Sequence, residues 1–180
     1  MSPRPAPDLS LRRDQLVGVA RELAEADGWP AVTMRRLAGE LGVTQPVIYS
    51  AFANRQALID AVALSGFEDV AAALAAAGAS PMARMRAYLD FAADYPSVYE
   101  AMFSLPSGLH FASGDAPEPL RRAFSAIRDA FPDADGTRAE VAWSMLHGLA
   151  TLQAGGRLRA EEAQARLDLA HRMLSGENNH

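Results

Sequence analysis

The run Val32-Thr33-Met34-Arg35-Arg36-Leu37-Ala38-Gly39-Glu40-Leu41-Gly42-Val43-Thr44-Gln45-Pro46-Val47-Ile48-Tyr49-Ser50-Ala51-Phe52 reads as two short helices joined by a turn at Gly42. In the first, Leu37 and Leu41 lie four apart with Ala38 beside them, a narrow apolar stripe that leaves Arg35, Arg36 and Glu40 outside. The second begins at Thr44, whose hydroxyl can cap the amides of the first turn, and carries Pro46 early, where a missing N–H costs little. Val47 or Ile48 then packs inward while Gln45, Tyr49 and Ser50 point out. Two helices joined by a short Gly-containing turn, with hydrogen-bonding side chains at the start of the second, have the geometry to enter a DNA major groove.

The flanking sequence extends the pattern. Upstream, Leu16, Val19, Ala20 and Leu23 fall at helical spacing and Gly28-Trp29 closes that helix; Val32-Thr33 opens the next. Downstream, Tyr49, Phe52, Asn54, Arg55, Leu58 and Ile59 match Tyr-x-x-Phe-x-Asn-Lys-x-x-Leu-Leu, with Arg55 in the lysine's place. On these residues the first third of the chain resembles the TetR family of bacterial transcriptional regulators. Ala51 departs from the family, whose members commonly carry a His before the Phe, so one customary phosphate contact is missing.

The bulk properties bound the rest. With 180 residues, nearly half of them apolar, the chain can bury a substantial core as one compact unit or as a small domain plus a larger one. The absence of Cys removes disulfides and thiolate sites, and no stretch approaches the apolar run that a membrane span needs; a cytoplasmic, membrane-independent protein is the expectation. The net charge of −5 argues against nucleic acid until its distribution is considered. Up to Arg55 seven arginines face six carboxylates, so the acidity lies in the remainder, and Arg12, Arg13, Arg35, Arg36 and Arg55 are positioned to gather on one face of the head.

Beyond the head the pattern is helical throughout. Residues 1–10 are Pro-rich and read as a disordered arm, 11–54 as the helix-turn-helix domain and 55–180 as a helical ligand-binding and dimerisation domain. A long Ala-rich helix runs from Asn54 to a stop at Gly78, Ser80-Pro81 starts another that ends near Tyr95-Pro96, and a short one carries Val98, Tyr99, Met102 and Phe103. Leu105 to Pro119 reads as a loop. Helices follow over Pro119 to Phe131, Thr137 to Ala154 and Ala160 to Leu174, the last with Leu167, Leu169, Ala170 and Leu174 inward. No segment alternates like a strand, so the fold class is all-α, a three-helix DNA-binding head plus a larger helical domain.

Two pieces of the larger domain resemble a TetR-type C-terminal domain of the WHG type, named for a Trp and a His-Gly pair. They are Tyr95-Pro96-Ser97-Val98-Tyr99-Glu100-Ala101-Met102-Phe103 and Trp143-Ser144-Met145-Leu146-His147-Gly148. The resemblance implies a regulatory domain that dimerises and binds an inducer. Independently, Tyr88, Phe91, Tyr95, Tyr99, Met102, Phe103, Trp143 and Met145 concentrate large side chains with polar or polarisable tips, which suits either an apolar ligand pocket or a filled aromatic core; His147, on an otherwise apolar helix, is read either as a core histidine or as a further pocket residue. In the last two helices Trp143, Leu146, Ala150 and Gln153 share one face and Leu167, Ala170 and Leu174 another; two copies can pair there as a four-helix bundle, whereas a monomer would hide these faces internally.

Enzymatic readings find no footing. His110, His147, His171 and His180 are scattered without metal-ligand spacing, no phosphate-binding glycine loop is present, and Ser107-Gly108 and Ser113-Gly114 lack a strand-turn-helix context. The expectation is a non-enzyme with no cofactor and no metal: a homodimeric repressor on a palindromic operator, released by a small, largely apolar ligand. Thr33 and Thr44 are expected to cap helices and approach phosphates, Tyr49 and Arg55 to contact the DNA backbone, and Arg35, Gln45 and Pro46 to read bases, with Ser50 also facing the duplex. The alternative is a protein-interaction module that keeps the helix-turn-helix only as a scaffold.

Overall fold

The computed structural model describes residues 9–106, 109 and 116–176. The expectations for residues 1–8, Ser107-Gly108, His110, Ser113-Gly114 and His180 lie outside them. Among the described residues there is no strand, and nine α-helices follow one another: α1 (Leu9–Asp27), α2 (Met34–Glu40), α3 (Gln45–Ala51), α4 (Arg55–Ala76), α5 (Pro81–Asp94), α6 (Pro96–Phe103), α7 (Glu118–Ala130), α8 (Thr137–Ala154) and α9 (Ala163–Ser175). None is long and apolar enough to cross a membrane. Leu9 and Ser10, expected in the arm, already belong to α1; helix ends shift by a residue or two with the hydrogen bonds that close the first turn.

Local chemistry explains most boundaries. Gly28 and Gly42 adopt φ of +77° and +62°, so the two turns that frame α2 sit in the region that β-carbons disfavour. Thr33 accepts the amide of Arg36 at 3.1 Å as an N-cap, and Asn54 does the same for Ala57 at 2.8 Å at the start of α4. Ser80 caps α5 by accepting from Ala83, with Pro81 next to it. Thr44 departs from expectation. It occupies the N-cap of α3, but its hydroxyl makes no capping bond. Pro46 removes one amide of that turn, and the amide of Val47 donates to the Thr44 carbonyl at 3.0 Å instead.

The chain divides into two compact units. The first gathers α1 to α3, the start of α4 through Ser65, and residues 97–109, which include nearly all of α6. Its core is built on Leu16, Trp29, Leu37, Ile48, Phe52 and Leu58, all buried. α6 is tied to α1 by a compact set of bonds: Glu25 accepts the amides of Ser97 at 3.1 Å and Val98 at 3.0 Å, the Ser97 hydroxyl donates to the Ala24 carbonyl at 2.8 Å, and the Trp29 indole donates to the Ser97 carbonyl at 2.8 Å. The carboxylate thus closes amides of the first turn of α6, where the helix dipole favours negative charge.

The second unit holds the rest of α4 with α5, α7, α8 and α9. α5 lies against α7, α8 and α9, and Arg84 ties it to α7 by donating to the Ala126 carbonyl at 2.7 Å. Met85, Tyr88, Ile127, Leu146, Leu167 and Leu174 form the core. Leu169, expected inward, is 51% exposed. Two residues beyond Leu167 it lies about 200° around the helix, so both cannot face the same core.

Candidate nucleic-acid interface and regulatory domain

α3 is fixed by Ile48, which is fully buried, and Ala51; Val47 is half-buried. Gln45, Pro46, Tyr49 and Ser50 are exposed on the opposite side, as are Thr33, Arg35 and Thr44. Tyr49 stands out at 48% exposure, a large ring kept in solvent on an otherwise polar face. The Ser50 hydroxyl donates to the Val47 carbonyl at 2.7 Å, so its proton is engaged within the helix while its lone pairs remain outward.

Three of the five arginines expected to gather on one face of the head have partners within it. Arg36 pairs with Asp27 at 2.6 Å and with Glu40 at 3.6 Å. Arg13 donates to the Ala51 carbonyl, and Arg55 donates from Nε to the Val32 carbonyl at 2.8 Å and from Nη2 to the Trp29 carbonyl at 2.6 Å. Sequence spacing could not show these bonds, because the partners lie 38, 23 and 26 residues apart. The link between Glu25, Trp29 and Ser97 was missed for the same reason.

The aromatic set is divided by the fold. Tyr99, Met102 and Phe103 sit on α6 within the first unit, where Tyr99 and Met102 are buried and the rings of Tyr99 and Phe103 meet at 4.7 Å. Tyr88, Phe91, Tyr95, Trp143 and His147 belong to the second. There the Trp143 indole donates to the Tyr88 hydroxyl at 3.2 Å, Phe124 meets Trp143 edge-on at 6.1 Å, and Phe91 meets Tyr95 at 5.5 Å. Tyr88 and Phe91 are buried, Trp143 and His147 are half-buried, and Tyr95 is 44% exposed.

Burial pushes the imidazole of His147 below its ordinary value. The fold therefore favours the neutral ring, and the unfolded chain takes up the proton more readily. The stability contributed by neutral His147 is present above the unfolded histidine value of about 6.5 and is lost as pH falls through it toward the lower folded value. Between pH 7.5 and 5.5 the thermal midpoint of the native chain is expected to fall further than that of His147→Gln. Equal falls in both proteins would exclude this residue as a source of acid sensitivity.

Of the faces expected to pair two chains, the apolar residues are packed within one, while Trp143 is half-buried and Gln153 exposed. Leu146, Ala150, Leu167, Ala170 and Leu174 are buried in the second unit. What α8 and α9 leave outside is a different set: Val141 (49% exposed), Leu152 (42%), Leu169 and Met173 (63%). Val141, Met145, Gly148 and Leu152 recur at helical spacing on one stripe of α8, and Ala165, Leu169 and Met173 on one stripe of α9.

Comparison with known proteins finds two matching family models. Residues 16–62 match the family model of bacterial regulatory proteins of the tetR family, and residues 81–176 match that of the tetracyclin repressor-like C-terminal domain. An uncharacterized HTH-type transcriptional regulator of Mycobacterium tuberculosis is 28% identical over 168 residues, 85% of this chain and 73% of that protein. The class C tetracycline repressor protein of Escherichia coli is 45% identical over 53 residues, 29% of this chain and 24% of that protein. A solved structure of a protein of unknown function from Rhodococcus sp. RHA1 superposes with a TM-score of 0.72 at 26% identity, covering 98% of both chains. With the C-terminal model spanning more than half of its length and a helix-turn-helix head matched at the other end, the chain belongs to the TetR family and is a DNA-binding transcriptional regulator.

Proposed function

We propose that the chain acts as a homodimeric repressor, holding a palindromic operator with two copies of α3 and releasing it when a small, largely apolar ligand occupies the second unit. The observation that carries this reading is the pair of outward apolar stripes on α8 and α9. Exposed apolar residues at helical spacing on adjacent helices are costly to leave in water, and the same stripes on a second copy are self-complementary across a two-fold axis. Gly148 adds support. It sits within the α8 stripe, a β-carbon there would meet nothing within 4 Å in this chain, and a mid-helix glycine costs about 0.5–1 kcal/mol against alanine. A partner helix approaching closely supplies a reason for it.

A dimer also solves the recognition problem. A seven-residue helix reads few bases, whereas two heads about 34 to 36 Å apart read a palindrome in successive major grooves. On each head Arg35 is suited to guanine O6 and N7, Gln45 to adenine N6 and N7, and Pro46 to a thymine methyl, with Thr33, Thr44, Tyr49 and Ser50 on phosphates. The half-buried Trp143 and His147 offer an apolar surface with polar tips to the ligand, and one relative is named a tetracycline repressor protein. α4 contributes to both units, so a ligand that prefers one arrangement of the second unit can alter head spacing through it.

The test is selection of bound fragments from sheared genomic DNA by the full chain, with affinity for the best site followed across salt. A palindrome with half-sites one helical turn apart and steep salt dependence is expected. Sequence-blind binding, or a preferred site without two-fold symmetry, would sink the reading.

A further inference from the structure

We infer that Arg13 and Arg55 are positioning residues that brace the two ends of the helix-turn-helix and set the pose of α3 in the groove without touching DNA. The inference rests on α3 being the base-reading helix.

Two helices of seven residues each cannot hold their own geometry in water, so their orientation has to come from tertiary contacts. At the exit of α3 the Ala51 carbonyl faces the end of the helix, where carbonyls lack intrahelical partners. Arg13 of α1 donates to it, and its guanidinium lies 4.2 Å from the centre of the Phe52 ring, which is 1% exposed. A cation there also meets the negative end of the helix dipole.

At the entrance the brace is Arg55. Its two bonds run to the carbonyls of Val32 and Trp29, residues that are buried and flank the turn leading into α2, and its guanidinium lies 5.9 Å from the Trp29 ring. Arg55 opens α4, the end of a helix where a cation is disfavoured. Its own helix therefore gives no reason for it, whereas the Val32 carbonyl and the second lone pair of the Trp29 carbonyl, which also accepts the Val32 amide at 3.1 Å, do. The fork of the guanidinium matters, because an ammonium is a point charge on a flexible stem and does not present two N–H groups in fixed geometry.

The experiment compares the full-length native chain with Arg13→Ala, Arg13→Lys, Arg55→Ala and Arg55→Lys on the duplex recovered by selection. Each active fraction is set by stoichiometric titration, and affinity is followed across salt and against single-base variants of the site. Bracing predicts that all four lose about tenfold on the selected site and discriminate less between it and its variants. The slope of log affinity on log salt stays unchanged. Phosphate contacts predict the reverse: a slope reduced by about 0.9 in the alanine variants, discrimination retained, and lysine variants that bind like the native chain. That result overturns the inference alone. A native chain with no preferred duplex overturns the base-reading premise and the inference with it.

Discussion

Replacing Leu169 and Met173 together by glutamate is expected to leave each chain folded and to separate the proposed dimer. Both side chains are more than half exposed in the single chain, so little internal packing is lost and the far-ultraviolet spectrum should be unchanged. In an apolar interface each carboxylate is buried without a partner, a penalty of several kcal/mol per ion. Two such charges per copy put four across the two-fold axis. Sedimentation should report a dimer for the native chain and a monomer for the variant at micromolar concentration, and operator affinity should fall to that of one head on a half-site. A variant that remains dimeric would place the interface elsewhere. Leu167→Glu is the contrasting control: its side chain lies in the core of the second unit, and that variant is expected to lose helicity outright.

The second large effect is expected at Gln45. Truncation to alanine removes a side chain able to pair with one base edge while leaving the fold of α3 intact, since Ile48 and Ala51 do the anchoring. Affinity for the selected site should fall by about 1 to 3 kcal/mol, roughly 5- to 150-fold, with preference relaxed at one base position in each half-site. Binding to unrelated duplex should be nearly unaffected. An equal loss on every sequence would show that Gln45 serves the backbone or the fold rather than a base.

The legible and illegible parts of this chain separate by distance along the sequence. Helix starts were readable because each cap lies within three residues of what it caps, as with Thr33 and Arg36, Asn54 and Ala57, or Ser80 and Ala83. The failure at Thr44 was also local, in that Pro46 removes one of the amides of the first turn. Periodicity gave most of the buried stripes of α2, α8 and α9, and it misled at Leu169, a leucine two residues from Leu167 that was counted without its angle, and at Gln153, which is exposed. Arginine roles were not legible. An arginine that reaches a phosphate and one that reaches the Ala51 carbonyl look alike until the fold brings residue 13 to residue 51. The same holds for the aromatic set: its members on α5 and α6 are neighbours along the chain but fall in different units, and those on α8 share the unit of α5.

The binding of α6 to α1 has a practical consequence for anyone exchanging heads between relatives. The natural cut, after the start of α4, would carry Glu25 and Trp29 into the hybrid and leave behind the Ser97 and Val98 groups that satisfy them. The indole N–H and the carboxylate would then depend on whatever the host presents at that place. A transferable specificity module of this chain is therefore two separate pieces of sequence, and residues 97–109 have to travel with the reader they support.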